Sequence, residues 1–273
     1  MAAAKRSPRD IIQAMNYLER NVAEIDTIGE IAKVVMAAEL SYRDPRAFAG
    51  RDLVQEILDS QQPDGRFGAT TEVLNHALAM MALRTVGEEP TGSEVEWLLA
   101  AQCEDGGWQF DQPAGPNDDE HCYDGSENDF FGSETDATAY AVIALRGEKT
   151  WNSTDPLNPF SFFETRRDPV KNGWGYDMQY PITSSNSTAL VIEAYRTHHK
   201  NVPNGAVRAL VKLQHRLCGH KAGAFSFTYE NVDGKWQRQA PDVGATIGGV
   251  LGLVQRPYDP SPINKLPPEA GSC

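Results

Sequence analysis

The chain contains no run of apolar residues approaching the ~20 that a membrane-spanning helix needs. Its opening residues, MAAAKRSPRD, lack the apolar core of a secretory signal. Basic charge is scarce: 25 Lys and Arg stand against 38 Asp and Glu, a formal net charge of −13. A phosphate-backbone partner needs clustered cations to displace counterions, so nucleic acid is excluded. Cysteine is sparse too. Cys103, Cys122, Cys218 and Cys273 are widely spaced with no CxxC, which is no disulfide framework; free thiols are expected, with two chance pairings as the alternative. Cys218-Gly-His220 and His121-Cys122 each offer two metal ligands without a third and fourth at suitable spacing. Gly-x-Ser-x-Gly, the phosphate loop and the dinucleotide fingerprint are all missing. What remains is the expectation of a cytoplasmic protein, or a secreted one if a signal peptide has been removed.

What the chain does have is an internal repeat. ILDSQQPDGRFG and LLAAQCEDGGWQ share one plan: apolar helix end, Gln, two residues, Asp, Gly, any residue, aromatic. DPVKNGWGY keeps the Gly-aromatic end, and LVKLQHRLCGHKAGAFSF keeps the Gln and Gly-x-aromatic with an insertion. The aromatic column is Phe67, Trp108, Trp174 and Phe225. Asp-Gly and Gly-Gly supply the positive φ that ends a helix and turns the chain, the ring fills the seam between hairpins, and the Gln satisfies backbone groups left open at the turn.

After each aromatic comes a helix rich in Ala, Thr and Gly and apolar around most of its circumference, such as SETDATAYAVIALR; the helix before it is amphipathic. The first kind must be buried and the second must lie outside it. The reading is all-α, a single domain over residues 1–256, with about five hairpins near 8–42, 50–86, 93–147, 156–199 and 204–255. Such units must stack on neighbours, giving a closed ring or an open arc. Residues 257–273 form a Pro-rich tail.

Gln-x-x-Asp-Gly-x-aromatic turns followed by Thr-Ala-rich helices resemble the squalene cyclase and protein prenyltransferase β-subunit repeat, and the bacterial prenyltransferase/squalene oxidase repeat proteins in particular. The resemblance implies an α/α toroid whose inner helices ring an apolar cavity. It implies an apolar, isoprenoid ligand and class II-type acid-initiated cyclisation, in which the central Asp of Asp-x-Asp-Asp protonates an alkene. Here Glu134-x-Asp136-Ala137-Thr138-Ala139 matches the central position with Asp136 and loses the last to Ala137. Asp136 also fits a capping box with Ser133. The zinc site of the protein prenyltransferases does not transfer: Ala245 stands where their His would be, and Glu120-His121-Cys122-Tyr123 lies in an insertion. No cofactor is assigned, though Mg²⁺ would accompany a diphosphate substrate.

Cobalamin carriers and polysaccharide lyases share the toroid, so a non-catalytic binding module and a lyase stand as alternatives. The acidic balance opposes a lyase, whose substrates are polyanions. His76, Thr138, Thr188 and Thr246 form a column that reads as repeat architecture, and His76 and Thr138 are also candidate ligand contacts. Trp174 and Tyr176 come from the densest aromatic region, and Phe130-Phe131 ends a long acidic loop (111–132) as an apolar lid over the cavity mouth. The expected partner is an apolar small molecule. A protein partner is expected where turnover needs a second helical domain.

Overall fold

The computed structural model describes residues 8–90, 92–112, 122, 132–215 and 221–254. The Phe130-Phe131 lid, residues 113–121 and 123–131 of the acidic loop, Cys218, His220, Cys273 and the Pro-rich tail lie outside the described residues. Ten α-helices follow in chain order: α1 (Pro8–Arg20), α2 (Ile28–Leu40), α3 (Leu53–Asp59), α4 (Val73–Thr85), α5 (Ser93–Ala100), α6 (Thr135–Ala144), α7 (Pro159–Thr165), α8 (Ser185–Thr197), α9 (Ala206–Leu213) and α10 (Val243–Val254).

Local chemistry sets their starts. The Thr27 hydroxyl and Glu30 form a capping box at α2, Asp52 accepts from the Gln55 N–H at α3, and Asn158 accepts from the Phe160 N–H at α7 with Pro159 in the first turn. The even-numbered helices pack in sequence, α2 on α4, α4 on α6, α6 on α8 and α8 on α10. α4, α6 and α8 are buried around most of their circumference, and residues 76–83 of α4 form one uninterrupted buried run; α10 is more exposed. Glycine permits the closest approach. A Cβ on Gly252 of α10 would lie 2.6 Å from the Cβ of Ala189 on α8. The odd-numbered helices occupy the seams outside this row: α3 touches α2 and α4, and α9 touches α8 and α10.

The turn between each outer and inner helix closes in one way four times. An N–H donates to the carbonyl just before the aromatic: Gln62 to Arg66 at 2.8 Å, Cys103 to Gly107 at 2.9 Å, Asp168 to Gly173 at 2.9 Å and His215 to Ala224 at 2.7 Å. Two residues before the aromatic the backbone takes positive φ, at Gly65, Gly106, Asn172 and Gly223. The Gln side chain spans the turn to that residue's carbonyl, Gln102 at 2.9 Å and Gln214 at 3.2 Å; Arg167 does the same in the third unit. Trp108 and Trp174 donate their ring N–H to Leu98 O and Phe163 O, each at 2.7 Å, satisfying carbonyls in the last turns of α5 and α7. Each turn also abuts the start of the next outer helix. A Cβ on Gly65 would strike Ser93, one on Gly106 would come 3.1 Å from Asn158 O, and Gly205 ahead of α9 lies against Asn172.

The helical class is as expected, and one expectation, on the cysteines, is corrected here. The chain is mostly helical but carries short strands before α10: β1 (Phe225–Ser226) pairs with β4 (Pro241–Asp242), and between them β2 (Tyr229–Val232) pairs with β3 (Lys235–Arg238), all antiparallel. Asp233 and Gly234, both at positive φ, make the tight turn that matches strand twist. Cys103 and Cys122, expected as free thiols, form a disulfide that ties the acidic loop to the end of the α5 turn.

Candidate functional site

Three sequence-predicted contacts are engaged in the turns. The backbone N–H of each column aromatic, buried under its own ring, finds an acceptor on the following inner helix. Trp108 donates to Thr138 Oγ1 at 2.8 Å, Trp174 to Thr188 Oγ1 at 3.0 Å, and Phe225 to Thr246 Oγ1 at 3.0 Å. Phe67 donates to His76 Nδ1 at 3.1 Å, so a ring nitrogen does the work of the threonine hydroxyl. With Nδ1 accepting, Nε2 carries the proton and donates to Glu94 O at 3.0 Å. Burial pushes the His76 imidazole down to about 4, so it is neutral at physiological pH. His76, Thr138 and Trp174 are thus fully buried parts of the hairpins and are absent from the cavity wall.

The cavity lies along the inner row and measures about 570 Å³, within the size range of small-molecule sites. All five even-numbered helices contribute. Met36 and Leu40 of α2, Leu78 of α4, Leu190 of α8 and Ile247 and Leu251 of α10 form apolar walls. Phe110 and Tyr176 reach in from the segments that connect aromatic to inner helix. Tyr176 is held there because the Thr135 N–H, at the start of α6, donates to its carbonyl at 2.8 Å. Glu134, the N-cap residue of α6, is tied by its own N–H to Trp108 O at 2.8 Å.

Onto this apolar wall project Glu134, Asp136 and Glu193, with the phenols of Tyr140 and Tyr176 and the carboxamide of Asn186. The capping role weighed for Asp136 is not found: Glu134 occupies the cap without a side-chain cap bond, and Ser133 Oγ donates instead to Asp105 at 2.8 Å. Asp136 is half-buried and lines the cavity; its Oδ1 is buried with no hydrogen-bond partner among the described residues. Burial raises its carboxyl to about 6, with the Ser187 hydroxyl opposing the shift and Asp177 adding to it. Burial also raises Glu134 to about 7, relieved by the Tyr176 hydroxyl and reinforced by Asp136, Asp177 and Asp111. Glu193 goes highest, to about 8, again through burial, with only Arg196 to offset it. Burial and the nearby carboxylates push both phenols upward. Near neutral pH the cluster therefore holds a fractional set of protons, which suits it to donate, accept or exchange one.

Lys33, exposed on α2, is the one basic side chain in the lining. Among the described residues no group of three or more His, Cys, Asp or Glu is placed to hold a metal, and no helix is long and apolar enough to cross a membrane. Sequence reasoning missed Tyr140, Asn186, Lys33, Phe110 and Glu193. The last had a signal: a lone acid inside the apolar run TALVIEAY on a helix read as buried.

Fold and site together show a mostly helical chain with repeated turns and an acid-bearing apolar cavity. No protein-family model matches the chain and no curated protein matches it in sequence.

Proposed function

We propose that the inner row belongs to an α/α toroid whose central cavity receives an apolar ligand of isoprenoid character. The observation that carries this reading is the cavity itself, about 570 Å³ with aliphatic walls from all five inner helices. A site this large and apolar, left to water, forgoes the burial that the hydrophobic effect rewards. Equilibrium dialysis with farnesol tests it directly. Retention by the wild-type chain and weaker retention by Ile247→Trp, which narrows the cavity from α10, is the expected pair of results. Farnesol passing freely in both would refute the reading.

A second reading, acid-initiated cyclisation, is favoured by Asp136, whose carboxyl meets the apolar wall in the first turn of α6. A proton donor to an alkene must be protonated in a dry site, and its position meets that need. The replacement of the motif's last carboxylate by Ala137 and the weakened acidity of Asp136 favour binding without turnover. Incubation with farnesyl and geranylgeranyl diphosphate and their alcohols, with and without Mg²⁺, followed by mass spectrometry, separates the two. Cyclised product that vanishes in Asp136→Asn establishes the acid; unchanged substrate in both proteins leaves a binding module. The Cys103–Cys122 bond favours an oxidising compartment, and with it the secreted alternative over the cytoplasmic one.

A further inference from the structure

The polar groups of the cavity are unusual in what they lack. Asp136 Oδ1 and Asn186 Oδ1 are both closed to solvent and receive no hydrogen bond. Glu193 is 2% exposed, and among the described residues no hydrogen bond or ion pair reaches it. The one cation that offsets it, Arg196, donates its Nη1–H to Gly252 O at 2.7 Å. All three groups line the same cavity from the adjacent helices α6 and α8. A buried acceptor without a donor costs the fold, and a buried carboxylate without a cation costs it more. The site is therefore short of hydrogen-bond donors and, once Asp136 and Glu193 are ionised, of positive charge.

We infer that the ligand of this cavity carries a positively charged nitrogen, a primary ammonium on an apolar body, whose N–H groups are received by acceptors among Asp136, Glu193 and Asn186. An ammonium supplies several donors and the missing charge at once, while an alcohol supplies a single donor. A diphosphate brings only negative charge and further acceptors, and meets three acidic side chains with Lys33 alone in its favour. The rings of Tyr140 and Tyr176 add faces that attract a cation. This inference rests on the proposed ligand cavity but not on turnover. An ionised Asp136 paired with an ammonium is not a proton donor, so in that complex Asp136 is a binding residue.

The test keeps one tail and changes the head: calorimetric titration of the full chain with farnesylamine, farnesol and farnesyl diphosphate at neutral pH. The amine is expected to bind at least ~10-fold more tightly than the alcohol, and the diphosphate least. Glu193→Gln and Asp136→Asn should each weaken the amine several-fold more than they weaken farnesol, removing most of the amine's advantage. Native helicity is checked for both, and either variant suffices if the other misfolds. An amine bound no tighter than a well-bound farnesol overturns the inference and leaves the cavity reading intact; failure of all three ligands overturns both. An advantage that survives in both variants also overturns it, because it would then belong to the chain's overall charge of −13.

Discussion

At alkaline pH the fold must hold a charge on Glu193, a side chain 2% exposed against an apolar wall. Its carboxyl rises from 4.5 to about 8. Between those values a glutamate in the unfolded chain is ionised while the native one keeps its proton, so the native state binds more protons there. Stability contributed by this residue is therefore complete below about pH 4.5, falls as pH rises through the window, and levels off above pH 8. Each tenfold in proton affinity is worth about 1.4 kcal/mol, which bounds the full loss at ~5 kcal/mol; access to cavity water brings the realised value to roughly 2–4 kcal/mol. Glu193→Gln keeps the shape and removes the charge. The variant is expected to match the wild type near pH 5 and to exceed it by roughly 2–4 kcal/mol at pH 9. Urea unfolding followed by tryptophan fluorescence at both pH values measures this. Glu134 and Asp136 titrate in an overlapping range, so the informative quantity is the variant's gain at pH 9 minus its gain at pH 5. Parallel stability curves for the two proteins would refute the argument that burial alone sets the Glu193 carboxyl.

Other positions carry expectations of the same kind. His76 titrates in the opposite sense: with its imidazole lowered from 6.5 to about 4, the unfolded chain binds the extra proton, so its stability contribution is lost as pH falls through that range. Nitrogen-detected NMR should show His76 Nδ1 unprotonated down to about pH 4. Thr188→Val leaves the buried Trp174 N–H without its acceptor and should cost ~1–3 kcal/mol in denaturant titration, with Thr188→Ser restoring most of it. In Gly107→Ala the new Cβ would stand 2.6 Å from Ser133 Cβ and 2.8 Å from the Phe162 ring, so a loss of ~1–3 kcal/mol and a lower melting temperature are expected.

The turns were legible because the chain writes them four times; residue types that recur at one position announce a shared geometry. The threonine column was visible too, but its meaning was not. The bonds from aromatic N–H to column residue join positions 9, 30, 14 and 21 apart, so no fixed spacing connects donor to acceptor. That variable gap is why His76 read as a ligand contact when its Nδ1 substitutes for a hydroxyl. The cap proposed at Ser133 failed for a related reason: Asp105, 28 residues earlier, recruits the serine. Cys103 and Cys122 gave no warning because they stand 19 positions apart, with a turn and part of the acidic loop between them. The strands before α10 had a signal in Asp233-Gly234 between Tyr229 and Trp236, obscured by the expectation that every unit would be helical. The cavity acids divide on the same line. Asp136 and Glu134 stood in a motif-like string, while Asn186 and Glu193 gain their significance only when α8 packs beside α6.

The abutment of each turn on the next outer helix leaves a hairpin little freedom to change length. A residue inserted into the Gln-to-aromatic turn would pull Gly65 from Ser93 or Gly106 from Asn158. One segment in each unit escapes this interlock, the stretch from aromatic to inner helix. It is brief between Phe67 and α4, long between Trp108 and α6, intermediate between Trp174 and α8, and folded into strands between Phe225 and α10. Phe110 and Tyr176 reach the cavity from two of these stretches, and Asp136, Asn186 and Gly244 line it from the first turns they lead into. The scaffold thus separates what must stay constant from what is free to vary. Changes of length and composition that the hairpin stack tolerates are delivered to the rim of the cavity, so its lining is open to change without renegotiating the fold.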